Sequence, residues 1–101
     1  MILTTTNSIE EYKILEYRGI VSGTIVSAQK TTMTFNMQKY YDGINESIIE
    51  VKEQAFAKLI DNAEKMNANA VVGIQVEMEL KSKDSVTIIS VTGTAVYVVK
   101  R

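Results

Sequence analysis

The sequence predicts a single small α+β domain spanning residues 1–101, in which one helix accompanies three long strands. Residues 12–27, 70–80 and 86–99 alternate with a period of two, which is typical of strands. Residues 45–66 instead repeat their apolar positions with the helical period. At 101 residues the chain has the length of one ordinary domain, and it can build only one thin core.

The first long strand is predicted from Tyr12 to about Ser27, after a short strand within residues 1–5. Gly19 and Gly23 lie on one face of this strand, where glycine marks a bulge, a bend or a close backbone contact. We expect the helix to pack on that face, over the two glycines. The face consists of Leu15, Tyr17, Gly19, Val21, Gly23 and Ile25.

Residues 28–44 predict an extended arm. Met33, Phe35 and Met37 alternate with polar side chains in this threonine-rich stretch. An arm of this kind needs an apolar surface to lie on. Two interpretations stay open: the arm packs on a neighbouring subunit, or it is a loop held against its own domain.

The helix is predicted over residues 45–66. Ser47 and Glu50 match a capping box, and Asn45 is an alternative first cap. Asn67 readily adopts the left-handed conformation that ends many helices. The apolar side chains cover about half of the helix circumference, which is more than one face of a small sheet would bury. The apolar side chains that the sheet would leave exposed predict a second contact surface on the helix.

Two further strands are predicted after the helix. In residues 70–80 an apolar row alternates with Gly73, Gln75, Glu77 and Glu79, which predicts one buried and one solvated face. In Val86–Val99 neither side carries a charge, and a strand that is apolar on both sides is normally covered on both. Either the N-terminal segment or the 28–44 arm covers the second side, or a neighbouring subunit does. We favour the neighbouring subunit, because an uncovered strip of this kind invites aggregation.

Composition excludes several classes of function. Eleven basic and twelve acidic residues give a net charge of −1 without a basic cluster, which argues against nucleic acid and membrane surfaces as partners. The chain has no cysteine and no histidine, so neither thiolate metal sites nor His-based catalytic triads exist. The glycines form no nucleotide-binding motif. We therefore predict no enzyme activity, no cofactor and no metal site, and the absence of a signal peptide predicts a cytoplasmic protein.

Two sets of charged residues are candidates for a site. Glu77 and Glu79 share a strand face and could bind a hard cation, although a solvated strand face explains them more simply. Lys52 falls near the middle of the apolar arc of the helix, where a charge must reach solvent, pair with a carboxylate or meet a ligand. An ion pair within or between subunits is the favoured interpretation. Glu16 is its candidate partner, with Arg18 as a competitor.

Four segments of the chain resemble the YbjQ-like family, small bacterial proteins that often carry the label "putative heavy-metal-binding". They are TTT at residues 4–6, ILEYRGIVSG at 14–23, NAVVGI at 69–74 and VTGTAV at 91–96. The resemblance implies a β-α-β-β subunit, similar to the dodecin subunit, whose helix packs on a small antiparallel sheet. It also implies a homopentamer with extra short strands for assembly, and Lys52 stands where the family usually has a basic residue.

The chain departs from the family pattern at residues 39–45, where members usually carry an arginine- and aspartate-rich segment. The metal label finds little support, since only methionines at positions 1, 33, 37, 66 and 78 offer soft ligands. The sequence therefore predicts a homo-oligomeric interaction or binding module that is pentameric and of unknown biochemical role. The alternatives are a metal-ion-binding protein and a protein that binds a small molecule at its subunit interfaces.

Overall fold

The computed structural model describes residues 1–28, 37–81 and 86–101, and of residues 28, 37–47 and 81 it describes the backbone alone. The elements are β1 (Ile2–Leu3), β2 (Tyr12–Ala28), α1 (Met37–Lys65), β3 (Ala70–Lys81) and β4 (Val86–Lys100). The strands form one sheet in the order β1-β3-β4-β2. β4 pairs antiparallel with both neighbours, and β1 is parallel to β3. The predicted α+β class and β-α-β-β order are confirmed, with β1 as an additional short strand.

β2 follows the predicted alternation only in its second half. Its register against β4 shifts between Ile14 and Glu16 and again between Tyr17 and Gly19. Each shift turns the following side chains to the other side, so the predicted grouping of Leu15 and Tyr17 with the later positions is wrong. From Gly19 onward the predicted face lies beneath the helix.

The helix begins at Met37, well before the predicted start, so the extended arm is wrong for residues 37–44. Asn45 and Ser47 consequently lie inside the helix and do not cap it. Three alternating positions are too short a pattern to distinguish a strand from a helix, and this stretch has no proline to interrupt a helix. Met33 and Phe35 fall outside the described residues. No helix in the described ranges is both long and apolar enough to cross a membrane.

The end of α1 is the one the sequence predicts. Asn67 has a φ of 60°. Its N–H donates to the carbonyl of Glu64 at 2.9 Å, and the N–H of Ala68 donates to the carbonyl of Ala63 at 3.1 Å. These two bonds form a Schellman motif, which satisfies carbonyls that the last turn would otherwise leave unpaired.

The main core lies between α1 and the two strands β2 and β4. The buried side chains of the helix are spaced four residues apart, which makes a single narrow stripe. Two of them are alanines, and below them a Cβ added to Gly23 would lie 2.7 Å from the backbone nitrogen of Leu59. The backbones of helix and strand therefore approach closely at this point, as the glycines predict. The stripe is Val51, Ala55, Leu59 and Ala63, and it packs on Val21, Ile89, Val91 and Ala95.

A second apolar cluster lies on the other side of the sheet and is covered by the N-terminal segment. The N–H of Thr4 donates to the carbonyl of Val71 at 3.0 Å, and the N–H of Gly73 donates to the carbonyl of Thr6 at 2.8 Å. The chain therefore covers one end of the second side of β4 by itself. The cluster consists of Ala70, Val72, Val96 and Val98, with Ile2, Ile9, Tyr12 and Ile14 packed against it.

β3 differs from the prediction because it carries an irregularity between Val72 and Gln75. Val72 consequently belongs to the second cluster, whereas Ile74 belongs to the main core. The rest of the apolar row is on the helix side of the sheet, paired with buried residues of β4. It is nevertheless exposed, so the predicted burial of this face is wrong for the isolated subunit. The exposed row is Val76 (44%), Met78 (52%) and Leu80 (52%).

Candidate interaction surfaces

The exposed row of β3 borders an apolar flank of the helix, and together they form what we call the helix–β3 groove. The groove arises because α1 packs mainly on β2 and β4. A helix is about 10 Å wide and neighbouring strands lie about 4.8 Å apart, so one helix covers about two strands and leaves the third uncovered. The groove is formed by Ile49, Phe56 and Ile60 of the helix and by Val76, Met78 and Leu80 of β3.

Two open hollows meet at the ring of Phe56. The first, of about 470 Å³, runs along the helix past Ile49, Lys52 and Ile60. The second, of about 390 Å³, lies between Phe56, Val76 and the end of β1. Ligand pockets of this size usually enclose most of a small molecule, whereas both of these hollows are open to solvent. Their shape suits a protein surface better than a small ligand.

A second surface is the side of the sheet opposite α1, beyond the part that the N-terminal segment covers; we call it the open sheet face. Ile20 and Val26 of β2 project from it with 80% and 62% of their surface exposed. Threonine and serine lie between them, and the hydroxyls of Thr24 and Ser90 are 3.1 Å apart. At the β3 side of this face, Glu77 is in register with Ser90, and Glu79 is in register with Ile88. Apolar and acidic side chains thus share this face, and an open hollow of about 430 Å³ lies beside Glu77 and Glu79.

The two edges of the sheet differ, which the sequence analysis missed. At the outer edge of β2, the amide of Asn62 donates to the carbonyl of Ser22 at 2.8 Å, and the ammonium of Lys58 donates to the carbonyl of Thr24 at 3.4 Å. The helix therefore closes part of that edge. In the sequence, the only sign that the helix closes this edge is that polar residues recur on the helix flank next to the buried stripe.

Lys52 and Glu16 are not brought together within the subunit. The carboxylate of Glu16 instead binds the guanidinium of Arg18 at 3.2 Å, and that guanidinium lies 5.7 Å from the centre of the Tyr97 ring. Lys52 is exposed on the flank of α1 that faces the groove, away from the centre of the buried stripe. Among the described residues it forms no ion pair. A role for Lys52 or Glu16 in a ligand site or an interface stays a prediction.

A heavy-metal site does not fit the side chains that the chain supplies. The sequence has no cysteine and no histidine. Among the side chains that the structure describes, those of residues 1–27, 48–80 and 86–101, no three acidic groups converge. Met66 contacts the Gly19 region, whereas Met78 is in register with Ile89, six residues from the partner of Gly19 on β4. That separation is about 20 Å along the strand. The thioethers of Met66 and Met78 are thus too far apart to share a metal ion.

In the part of the chain that the structure describes, the fold is a small α+β unit in which one helix packs on a four-stranded sheet and leaves apolar side chains exposed on both sides of that sheet. The chain belongs to the YbjQ-like family, whose model matches residues 1–99 and is described as "putative heavy-metal-binding". The resemblance seen in the four sequence segments is confirmed.

Relatives and a solved structure agree with this assignment. A UPF0145 protein of Clostridium botulinum is 35% identical over 104 residues, covering 96% of this chain and 98% of the relative. A UPF0145 protein of Haemophilus ducreyi is 33% identical, covering 97% of this chain and 99% of the relative. A crystal structure of a DUF74-family protein of unknown function from Pediococcus pentosaceus is similar with a TM-score of 0.73, 17% identity and 98% coverage of both chains. That likeness concerns the fold.

Proposed function

We propose that the protein is a homo-oligomeric ring of five subunits that acts as an interaction or binding module. The observation that carries this proposal is the helix–β3 groove, in which an apolar helix flank and the exposed apolar row of β3 meet at Phe56 and Val76 on the surface of the subunit. Single exposed apolar residues are ordinary, whereas a contiguous patch marks a surface that another protein covers.

A ring is the assembly that suits two different apolar surfaces. The helix–β3 groove and the open sheet face lie on opposite sides of the sheet, so a contact between like surfaces would leave one of them bare. A head-to-tail contact repeated around a closed ring covers both in every subunit. The number five comes from the family resemblance.

Light scattering after size-exclusion chromatography tests the proposal. Five subunits of 11.3 kDa predict a mass of about 56 kDa. The Tm should also rise with protein concentration, because assembly stabilises the folded subunit by mass action. A mass of one subunit at micromolar concentration, with a Tm independent of concentration, would refute the ring.

A further inference from the structure

We propose that the helix–β3 groove of each subunit is covered by the open sheet face of the next subunit, with Lys52 paired to the carboxylates of Glu77 and Glu79 across the contact. The inference rests on the proposed ring and goes beyond it by assigning the two contacting surfaces and the charged residues that align them.

The apolar side chains of the two surfaces support this pairing. The groove offers a recess between the helix flank and the exposed row of β3, with Phe56 at its centre. The open sheet face offers projecting side chains, of which Ile20 is the most exposed large apolar residue among those described. Val26 projects from this face at the level of Glu79, because both residues are in register with Ile88, so it can bury apolar area in the groove while the glutamates lie near Lys52.

Lys52 of the groove and the two glutamates of the open sheet face carry opposite charges, while Glu53 also lines the hollow beside Lys52. Lys52 lies beside Ile49 and Phe56, and it has no carboxylate partner among the described side chains of its own subunit. Glu77 and Glu79 point to the same side of β3, about 7 Å apart, and likewise form no ion pair with the described residues. An ammonium between two carboxylates would fix the register of the contact and resist wrong pairings.

A contact between two copies of the groove is less suitable. It would close at two subunits and leave the open sheet face uncovered. Pairing β3 with its own copy in the antiparallel direction would also place Glu77 near Glu79 of the second copy, and like charges opposite each other destabilise a sheet. The other helix flank is not available, since Lys58 and Asn62 are bonded to the edge of β2.

Charge exchange tests the proposed ion pair. We expect Lys52→Glu to raise the dissociation constant of the assembly about tenfold or more, and the double variant Glu77→Lys/Glu79→Lys to do the same. The chain that carries all three changes should assemble more tightly than either, because the pair is restored with its signs exchanged. Lys13→Glu is the matched control: it reverses the charge of an exposed lysine near the start of β2, outside both proposed surfaces, and should leave the dissociation constant unchanged.

Disulfide trapping tests the contact without relying on charge. The chain has no cysteine, so introduced thiols can react only with each other. We expect co-expressed Lys52→Cys and Glu79→Cys chains to form covalent dimers on oxidation, and neither variant to do so alone. Lys58→Cys co-expressed with Glu79→Cys is the control and should remain uncrosslinked.

The outcomes separate this inference from the proposed ring. A wild-type oligomer that is insensitive to all the charge changes, or one in which Lys52→Cys chains crosslink to each other, overturns the assigned contact and leaves the ring standing. A wild-type monomer overturns the ring itself. Loss of assembly in each separate charge variant, recovery in the combined one and crosslinking only in the mixed pair support the inference.

Discussion

Gly23 is the residue at which helix and sheet come closest. A Cβ at this position would meet the backbone of α1 near Leu59 rather than a flexible side chain that could move aside. The contact explains why the helix can press its alanine-rich stripe against β2. It also makes this glycine a sensitive position for the stability of the subunit.

We predict that Gly23→Ala lowers the free energy of unfolding by about 2 kcal/mol, because the added methyl group forces helix and strand apart. Urea denaturation at one fixed protein concentration measures the change. Ser22→Ala is the control, because this exposed neighbour should stay within about 0.5 kcal/mol of the wild type. A variant at position 23 as stable as the wild type would show that the close approach is not needed.

The role of a residue could be predicted from the sequence where it depends on backbone conformation. It could not be predicted where it depends on how the helix is oriented on the sheet. The roles of Gly23 and Asn67 follow from their chemistry. The position of Lys52 was wrong because the predicted arc averaged over every apolar residue, including Ile49, Phe56 and Ile60, which lie on the exposed flank. Periodicity measures how wide an apolar arc is, but it does not tell which part of that arc the sheet occupies.

Among the elements, β3 shows the largest difference between the burial that its alternating pattern predicts and the burial found in one subunit. Alternation correctly identified the strand and the side chains that share a face. It could not reveal that the face is bare, because burial depends on where the helix lies across the sheet. The irregularity after Val72 was signalled only by Gly73, whose φ is 62°.

We predict that replacing Val76, Met78 and Leu80 together by threonine weakens assembly while the subunit stays folded. These positions are already half exposed in the subunit, so their polar replacement removes apolar contact mainly from the interface. Light scattering reports the assembly, and circular dichroism reports the fold. The matched control is Leu15→Thr, which replaces an equally exposed apolar side chain near the start of β2, outside the groove. If the triple variant assembles to the same mass as the wild type, the groove is not part of the interface.

The N-terminal segment is the second element with a testable role. We predict that deleting residues 2–6 lowers the free energy of unfolding by about 3 kcal/mol, since it removes backbone hydrogen bonds to Val71 and Gly73 and uncovers part of the second cluster. Chemical denaturation measures the loss, with Ser8→Ala, an exposed change in the same segment, as control. An unchanged unfolding midpoint would mean that this cover contributes little.

At the scale of the whole molecule, the reason to expect self-association differs from the one that the sequence suggested. The two-sided strand β4 is covered by α1 on one side and, at one end, by the N-terminal segment on the other. Uncovered apolar surface lies instead on β3, on the helix flank and on the outer part of β2. Sequence alone could predict that the chain has more apolar surface than one thin domain hides, but not where the excess would fall.

We predict that the intact protein gives no saturable heat when titrated with Zn²⁺ or Cu⁺, because its donor set lacks thiolate and imidazole, and because Met66 and Met78 lie far apart. Isothermal titration calorimetry measures this. The variant Glu77→His/Glu79→His is a positive control, since it places two imidazoles on one strand face. Stoichiometric binding by the wild type would require donors that the subunits supply jointly.

The order of strands in the sheet has a consequence for biosynthesis. β4 lies between β2 and β3 in the sheet, yet it follows both of them in the chain. Until it emerges from the ribosome, the earlier strands have no common neighbour to pair with, and the N-terminal residues have only part of their docking surface. The sheet therefore forms only after β4 has been synthesised, and a message truncated before codon 86 yields a chain that lacks the centre of its own sheet.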